Sequence, residues 1–444
     1  MNIDSAAFDE FRASLASLGA DMPGDGLAGE ERVRRAKQTF MRKIDTRMAV
    51  DLETCIHCGM CAAACHFYEA TQDEKYSPVY KFEPLRRFYR RELSPMRWLF
   101  KPFTRDITAE DLEKWQELVY EGCTGCGRCD MMCPMGINLS TLINVMREGL
   151  ASAGLVPAEI KALQTEQRDK GTVFGVGADA VREFVATLRQ QGIEIPLDKS
   201  QADVVLLTTA VEILLFPDAL AATARILNKL GDNWTLLGKG FEATNLGLIS
   251  GDEGTQRKAT ARIVEHAKAC GAKTVILPET GHAYQALRWE GANELGKALP
   301  FEVLAVSEFI AREYDAGRLK LKSSANGKSV TYHDPCRLGR HGGVIEQPRA
   351  LLKALGLDFR EADSNGRENY CCGGGCGEYV IQRSAPLRQK AFAIKQREFD
   401  ETGADEVVTS CANCRINLMI GADKAGWQKP VESLVEKVAA SLAE

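Results

Sequence analysis

Several absences narrow the reading before any motif is considered. The 444 residues carry a formal net charge of −5, so no global basic field awaits a nucleic-acid partner, and none is expected. Long apolar runs are missing too. The most hydrophobic stretch, Val204 to Leu215, is shorter than a bilayer-spanning helix and contains Glu212. Met1-Asn2-Ile3-Asp4 shows neither the basic stretch nor the apolar run of a secretory signal, and a reducing, cytoplasmic compartment is the expectation. Gly175-Val176-Gly177 lacks the third glycine of a dinucleotide fingerprint, so flavin or nicotinamide on this chain is not expected.

Cysteine, by contrast, is abundant. There are 15 cysteines, and all but Cys270 fall into three compact groups, a pattern of metal ligation rather than of disulfide partners. The first group is Cys55-x2-Cys58-x2-Cys61-x3-Cys65; the second is Cys123-x2-Cys126-x2-Cys129-x3-Cys133 followed by Pro134. In this spacing three thiolates wrap one [4Fe-4S] cubane while the fourth reaches the other cluster. The expected sets are therefore Cys55, Cys58, Cys61 and Cys133 for one cubane, and Cys65, Cys123, Cys126 and Cys129 for the other. Gly59, Gly125 and Gly127 allow backbone amides to turn towards cluster sulfur. Zinc also accepts Cys-x2-Cys pairs, but two matching four-cysteine runs ending in Cys-Pro are hard to obtain that way.

Beyond residue 200 short β-branched runs alternate with helical periods: Val204–Leu207, then Ala219–Leu230, Gln256–Ala269 and Thr274–Leu277. A second series follows in Ser329–Tyr332, Arg349–Leu355, Ala385–Phe399 and Glu406–Thr409. Alternation of this kind indicates βαβ units on a parallel sheet. Gly271–Leu277 and Gly403–Thr409 line up, so the C-terminal half reads as an internal duplication.

The third cysteine constellation is Cys336, then Cys371-Cys372-Gly373, then Cys411-x2-Cys414. This pattern resembles the CCG-domain proteins. With the two ferredoxin motifs, nearly the whole chain resembles the D subunit of heterodisulfide reductase and its relatives, among them the K subunit of the sulfite-reduction-associated Dsr complex. The resemblance implies that Cys336, Cys371, Cys372, Cys411 and Cys414 hold a noncubane [4Fe-4S] cluster and act as the catalytic site. His333, just before Cys336, is a candidate proton donor or a structural hydrogen-bonding residue. The sequence departs from the fullest family pattern in two places. The first copy has no cysteine cage: Thr209-Ala210-Val211, Glu242-Ala243-Thr244-Asn245 and Glu279-Thr280-Gly281-His282 stand where cysteines would be, so it reads as a scaffold. Secondly, Cys376 is an extra thiol that flanking glycines would leave free to swing, either a sulfur-handling group or an uninvolved loop thiol. Cys270, at a helix end, reads as a small buried hydrophobe.

The expected fold class is multidomain, α+β and α/β: a helical ferredoxin-like domain with two [4Fe-4S] clusters followed by a duplicated α/β CCG domain. The expected divisions are a helical N-terminal extension (1–45), the ferredoxin-like domain (46–150), a linking region (151–200), a degenerate first CCG-like repeat (201–325) and an intact CCG repeat with the noncubane site (326–444). The basic, aromatic stretch from Lys81 to Arg105 reads either as a solvated helix face with its aromatics in the core, or as a docking surface for a membrane partner or anionic lipid.

The function implied is that of an iron–sulfur oxidoreductase subunit that moves electrons through two cubanes to or from a noncubane cluster acting on a disulfide, trisulfide or persulfide in sulfur metabolism. The alternative is a purely electron-transferring iron–sulfur subunit of a glycolate or glycerol-3-phosphate dehydrogenase type, linked to quinone. A non-redox scaffold fits poorly with eight intact ferredoxin cysteines. Expected partners are other subunits of a redox complex, a membrane b-type cytochrome or a flavoprotein, and a sulfur-containing substrate or carrier protein. Attachment to the cytoplasmic face of a membrane is an extension of the same expectation.

Overall fold

The computed structural model describes residues 5–323 and 327–443; Met1–Asp4 and the expected boundary at 325/326 lie outside them. The first half is helical. Helices Gly29–Lys43 and Leu139–Ser152 cross closely, because Gly149 has no side chain where Phe40 lies; a Cβ there would collide with the ring. Asn138 starts the second of these helices by accepting from the Thr141 amide. The interval between the two ferredoxin motifs is also structured. It contains the helix Pro78–Glu92, opened by the Ser77 cap and a proline in the first turn, and Ala109–Gln116, opened by a Thr108–Asp111 capping box. Residues 151–200 hold two helices, Ala158–Lys170 and Ala178–Gln190; only the latter has a clear apolar stripe.

Two four-stranded parallel sheets follow. Strands β1 (Val204–Leu206), β2 (Trp234–Leu236), β3 (Thr274–Leu277) and β4 (Glu302–Ala305) form the first, in the order β2-β1-β3-β4. Strands β5 (Ser329–His333), β6 (Asp358–Phe359), β7 (Glu406–Thr409) and β8 (Val431–Ser433) form the second, in the corresponding order β6-β5-β7-β8. Central strands β1, β5 and β7 are buried throughout, as parallel strands covered by helices must be. In each sheet the strand order reverses between the two central strands, and the crevice beyond their carboxyl ends is where such folds bind ligands.

One buried side chain ties the halves together. Arg147 donates from Nε to the Val119 carbonyl (2.8 Å), from Nη1 to Ile249 (3.0 Å) and Cys376 (3.4 Å), and from Nη2 to Cys123 (2.6 Å). The second ferredoxin motif, the first sheet region and the Cys-Cys-Gly loop thus share a single guanidinium. Among the described residues no helix is long and apolar enough to cross a membrane.

Candidate metal centres

The two ferredoxin motifs fold into mirror pieces. Gly59 and Gly127 adopt left-handed backbone (φ 78 and 72°) and each starts a short helix, Met60–Ala64 and Arg128–Met132, so that the thiols on either side converge. Cys55, Cys58, Cys61 and Cys133 line one hollow with Val79 and Phe82. Cys65, Cys123, Cys126 and Cys129 line a second. Each hollow therefore draws three thiols from one motif and one from the other. Burial pushes the Cys61 thiol up to about 11, whereas Cys58 is exposed, so the first hollow opens to the surface at Cys58.

Lys81 does not belong to a solvated basic face; it lies buried, with Nζ 3.3 Å from the Cys65 sulfur. Burial alone would lower its pKa, but the neighbouring sulfurs of Cys65 and Cys123 outweigh this and raise it. Arg86 also turns inward, donating to the carbonyls of Leu52 (3.0 Å) and Cys55 (3.2 Å). Thiol-only hollows, a buried cation at sulfur and the Gly125 amide 3.3 Å from the Cys123 sulfur form a donor set suited to anionic iron–sulfur clusters.

The third constellation sits at the crevice of the second sheet. Cys336 follows β5 and Cys411 follows β7, the two adjacent central strands, while Cys371 and Cys372 arrive on the loop after β6 and Cys414 from the first turn of the helix Ala412–Ala425. All five are buried. The sulfurs of Cys336 and Cys371 are 4.0 Å apart, and donor atoms of His333, Cys372 and Cys414 lie within 4.8 Å of one another. Cys371 and Cys414 contacts hold the Cys372 thiol low, and Cys372 in turn raises Cys414. The ring of the fully buried His333 meets no protein oxygen or nitrogen; its polar neighbour is the Cys372 sulfur, and burial lowers its pKa. An imidazole facing only clustered thiols is what a metal-centre wall presents when its protein atoms alone are counted.

The second hollow and the third constellation touch. Cys126 packs against the buried cluster that contains Cys336, Cys371 and Cys372, and the nearness of Cys371 lowers the Cys126 thiol while raising Cys371. Close approach is possible because Gly125 and Gly127 have no side chains: a Cβ at Gly125 would collide with the Arg337 guanidinium, and one at Gly127 would come within 2.6 Å of His341 Nε2. Arg340 locks the seam by donating to the Cys126 carbonyl (2.7 Å) and to Asn369.

Cys376 is not free to swing. It is buried, in left-handed backbone (φ 52°), and its sulfur accepts from Arg337 Nη2 at 2.8 Å. Burial would raise the thiol's pKa, but the Arg337 charge outweighs it and lowers the value. Arg337, His341 and Cys376 form the inner end of a cavity of about 490 Å³, whose walls also include Lys43, Glu148 and Gln285. Cys270 is buried at the end of the helix Glu253–Ala269, its thiol turned to the Ala267 carbonyl. The sequence does not single out Arg147, Arg337 or His341; the last two follow Cys336 within a few residues, but nothing local marks them as cavity walls.

In the first sheet the corresponding positions bond to the protein itself. Glu242 accepts from the amides of Ala210 and Thr244, both at 2.9 Å, and His282 Nε2 meets the Asn245 carbonyl at 2.9 Å. Glu279 reaches across to Ser433 Oγ (2.6 Å) and the Val435 amide (3.1 Å). Burial raises Glu242 to about 7 and Glu279 to about 8.

Comparison with known proteins agrees with this layout. Residues 54–138 match a 4Fe-4S dicluster domain, and residues 330–419 match a cysteine-rich domain of the CCG family. The D subunit of dihydromethanophenazine:CoB–CoM heterodisulfide reductase from Methanosarcina mazei is 31% identical over 88% of this chain and 94% of its own length. The Hdr-like menaquinol oxidoreductase iron–sulfur subunit 2 of Archaeoglobus fulgidus is 24% identical over 89% of this chain and 80% of its own. An EtfAB:quinone oxidoreductase of Syntrophomonas wolfei is 27% identical, with 85% of this chain aligned to 56% of that longer protein.

Proposed function

Because the chain belongs to the family of heterodisulfide reductase D subunits, and is thereby an iron–sulfur, electron-transferring subunit of a multi-subunit oxidoreductase, we propose that its third cysteine constellation is the site where a sulfur substrate reacts. The substrate is a disulfide, trisulfide or persulfide. Cys55, Cys58, Cys61 and Cys133 hold one cubane and Cys65, Cys123, Cys126 and Cys129 the other; Cys336, Cys371, Cys372, Cys411 and Cys414 hold a noncubane cluster. When bound, these groups supply one-electron storage and relay, with an open cluster offering iron or sulfur to a substrate sulfur.

The observation that carries the reading is the packing of Cys126 against the cluster of Cys336, Cys371, Cys372, Cys411 and Cys414, which puts the inner ferredoxin hollow against the third constellation. The protein's own contribution is to bury the five thiols, to seal the seam with Arg340, and to keep a polar cavity beside it. Sheets of equal strand order fit an internal duplication, with divisions near residues 45, 150, 200 and 325. The first copy acts as a wall: the Gly281 amide donates to the Cys411 sulfur and the Ala412 amide to the Glu279 carbonyl (2.7 Å). Electrons come from a partner in the complex, a b-type cytochrome or a flavoprotein, on the cytoplasmic side. The quinone-linked relative from Syntrophomonas keeps a second reading alive, that of a pure electron relay.

Low-temperature EPR on anaerobically prepared protein separates the two. A signal that appears on oxidation, shifts with added thiol and vanishes in Cys371→Ala is expected for a substrate site. Reduced-cubane signals alone would establish the relay and overturn the proposal.

A further inference from the structure

The segment that follows the helix Pro78–Glu92 carries its large apolar side chains on the outside. Trp98 is 71% exposed and Phe103 87%, with Met96 and Leu99 beside them also exposed. The helix just before it buries Phe82, Phe88 and Tyr89 in the core and leaves Tyr80 half-exposed. Such a cluster on a surface marks a place that something apolar covers.

The chemistry of the segment identifies the occupant. Residues 95–103 read Pro-Met-Arg-Trp-Leu-Phe-Lys-Pro-Phe, with two cations and no acidic residue, although Glu92 of the preceding helix comes within 3.8 Å of the half-exposed Lys101 ammonium. Trp and Phe interleaved with Arg and Lys suit the boundary of a bilayer, where rings enter the acyl edge and cations stay at phosphate level. Consecutive exposed residues on two short turns, Arg97–Phe100 and Lys101–Phe103, make a projecting tip rather than a flat face. The tip is also held firmly. Arg91 donates to the carbonyls of Lys101 (3.0 Å) and Thr104, and Arg90 lies over the Phe100 ring at 5.3 Å.

We propose that residues 95–103 insert Trp98, Leu99 and Phe103 into the interfacial layer of an anionic lipid bilayer, with Arg97 and Lys101 on its phosphates. The tip lies beside the exposed first hollow: Ser94 donates to Glu53 at 3.1 Å, two residues before Cys55. Docking therefore brings the surface-opening cysteine set towards the membrane plane. None of this depends on what the third constellation does, so it stands or falls separately from the substrate site.

The test uses the full-length, iron-loaded chain with vesicles of phosphatidylglycerol and phosphatidylcholine. Expected results are co-sedimentation that weakens with salt, a blue shift of Trp98 emission, and quenching of that emission by brominated acyl chains. The emission signal is obtained as the difference from Trp98→Phe. Trp98→Ala with Phe103→Ala should cut partitioning by about tenfold or more, and Arg97→Glu with Lys101→Glu should abolish the preference over pure phosphatidylcholine. Unchanged visible cluster absorbance shows that the variants are intact. Absence of vesicle binding, binding that both variants retain, or binding only to vesicles carrying a reconstituted membrane protein would overturn the proposal.

Discussion

After β1 and β3 the chain places Thr209 and Glu279; after the corresponding β5 and β7 it places Cys336 and Cys411. The two sheets offer the same crevice and fill it in opposite ways. In the first, Thr209 caps its own helix through the Glu212 amide (3.1 Å), and Glu242 and His282 bond to nearby backbone. Only His282 Nδ1 is left over among these side chains, since Nε2 has the Asn245 carbonyl. In the second, five thiols converge with an imidazole whose polar neighbour is the Cys372 sulfur and which meets no protein oxygen or nitrogen. A fold therefore supplies the place, and whether a centre forms there depends on which side chains are left without partners.

The largest break in this comparison comes from the thiols. Cys371→Ser with Cys372→Ser should remove about four iron atoms per chain, measured by iron analysis, while leaving the ferredoxin EPR signals. The reciprocal change, Glu279→Cys with His282→Cys, should add no iron, because the Glu242 and Thr209 positions supply no further thiols. Gain of iron in that variant would show that the first crevice is still a latent site.

Next in size is Arg147, which serves both regions at once. Arg147→Met leaves four carbonyls without their donor and should destabilise the protein by roughly 3 kcal/mol, read as a lower thermal midpoint and faster cluster loss.

The buried carboxylates sharpen the contrast by pH. Glu279 and Glu242 have folded pKa values raised above the ordinary 4.5, so the folded state binds more protons than the unfolded one between about 4.5 and their folded values of about 8 and about 7. Their contribution is complete below the unfolded pKa, falls as pH rises through that window, and levels off above it. Glu279→Gln should flatten the slope by up to about 1.4 kcal/mol per pH unit, checked by denaturant titrations across the window. The smallest effect is that of the cap: Thr209→Ala should cost about 1 kcal/mol in the same titrations, with iron content unchanged.

Much of the candidate site was legible because its information is local. Cys-x2-Cys spacing is a statement about one turn of chain, and it marked the thiols of the two ferredoxin motifs, while those of the third constellation were marked by resemblance to the CCG pattern. Central strands β1, β3, β5 and β7 were also legible as β-branched runs. The outer strands β2, β4, β6 and β8 were not, since segments such as Asp358-Phe359 and Val431-Glu432-Ser433 mix polar and apolar residues and carry no β-branched run. Nor was the inward turn of Lys81: in a stretch crowded with arginines, nothing but the position of Cys65 distinguishes the lysine that is buried from those that are not.

What the sequence determined by itself was the inventory: two ferredoxin motifs, one cysteine-rich motif, and two βαβ series of which the first has no cysteine cage. These follow from spacing and periodicity, which act over a few residues. Tertiary structure alone decided that Cys126 meets Cys371, that Arg147 joins three regions, that Cys376 is pinned by Arg337 at the end of a cavity, and that Trp98 and Phe103 face outward. Each of those is a meeting, or a failure to meet, between side chains set by how the helical half docks on the two sheets, and pairings such as Arg147 with Cys376 lie 229 residues apart along the chain. No local pattern encodes such a distance, because it is fixed by the packing of glycine-lined surfaces against each other rather than by the order of residues along the chain.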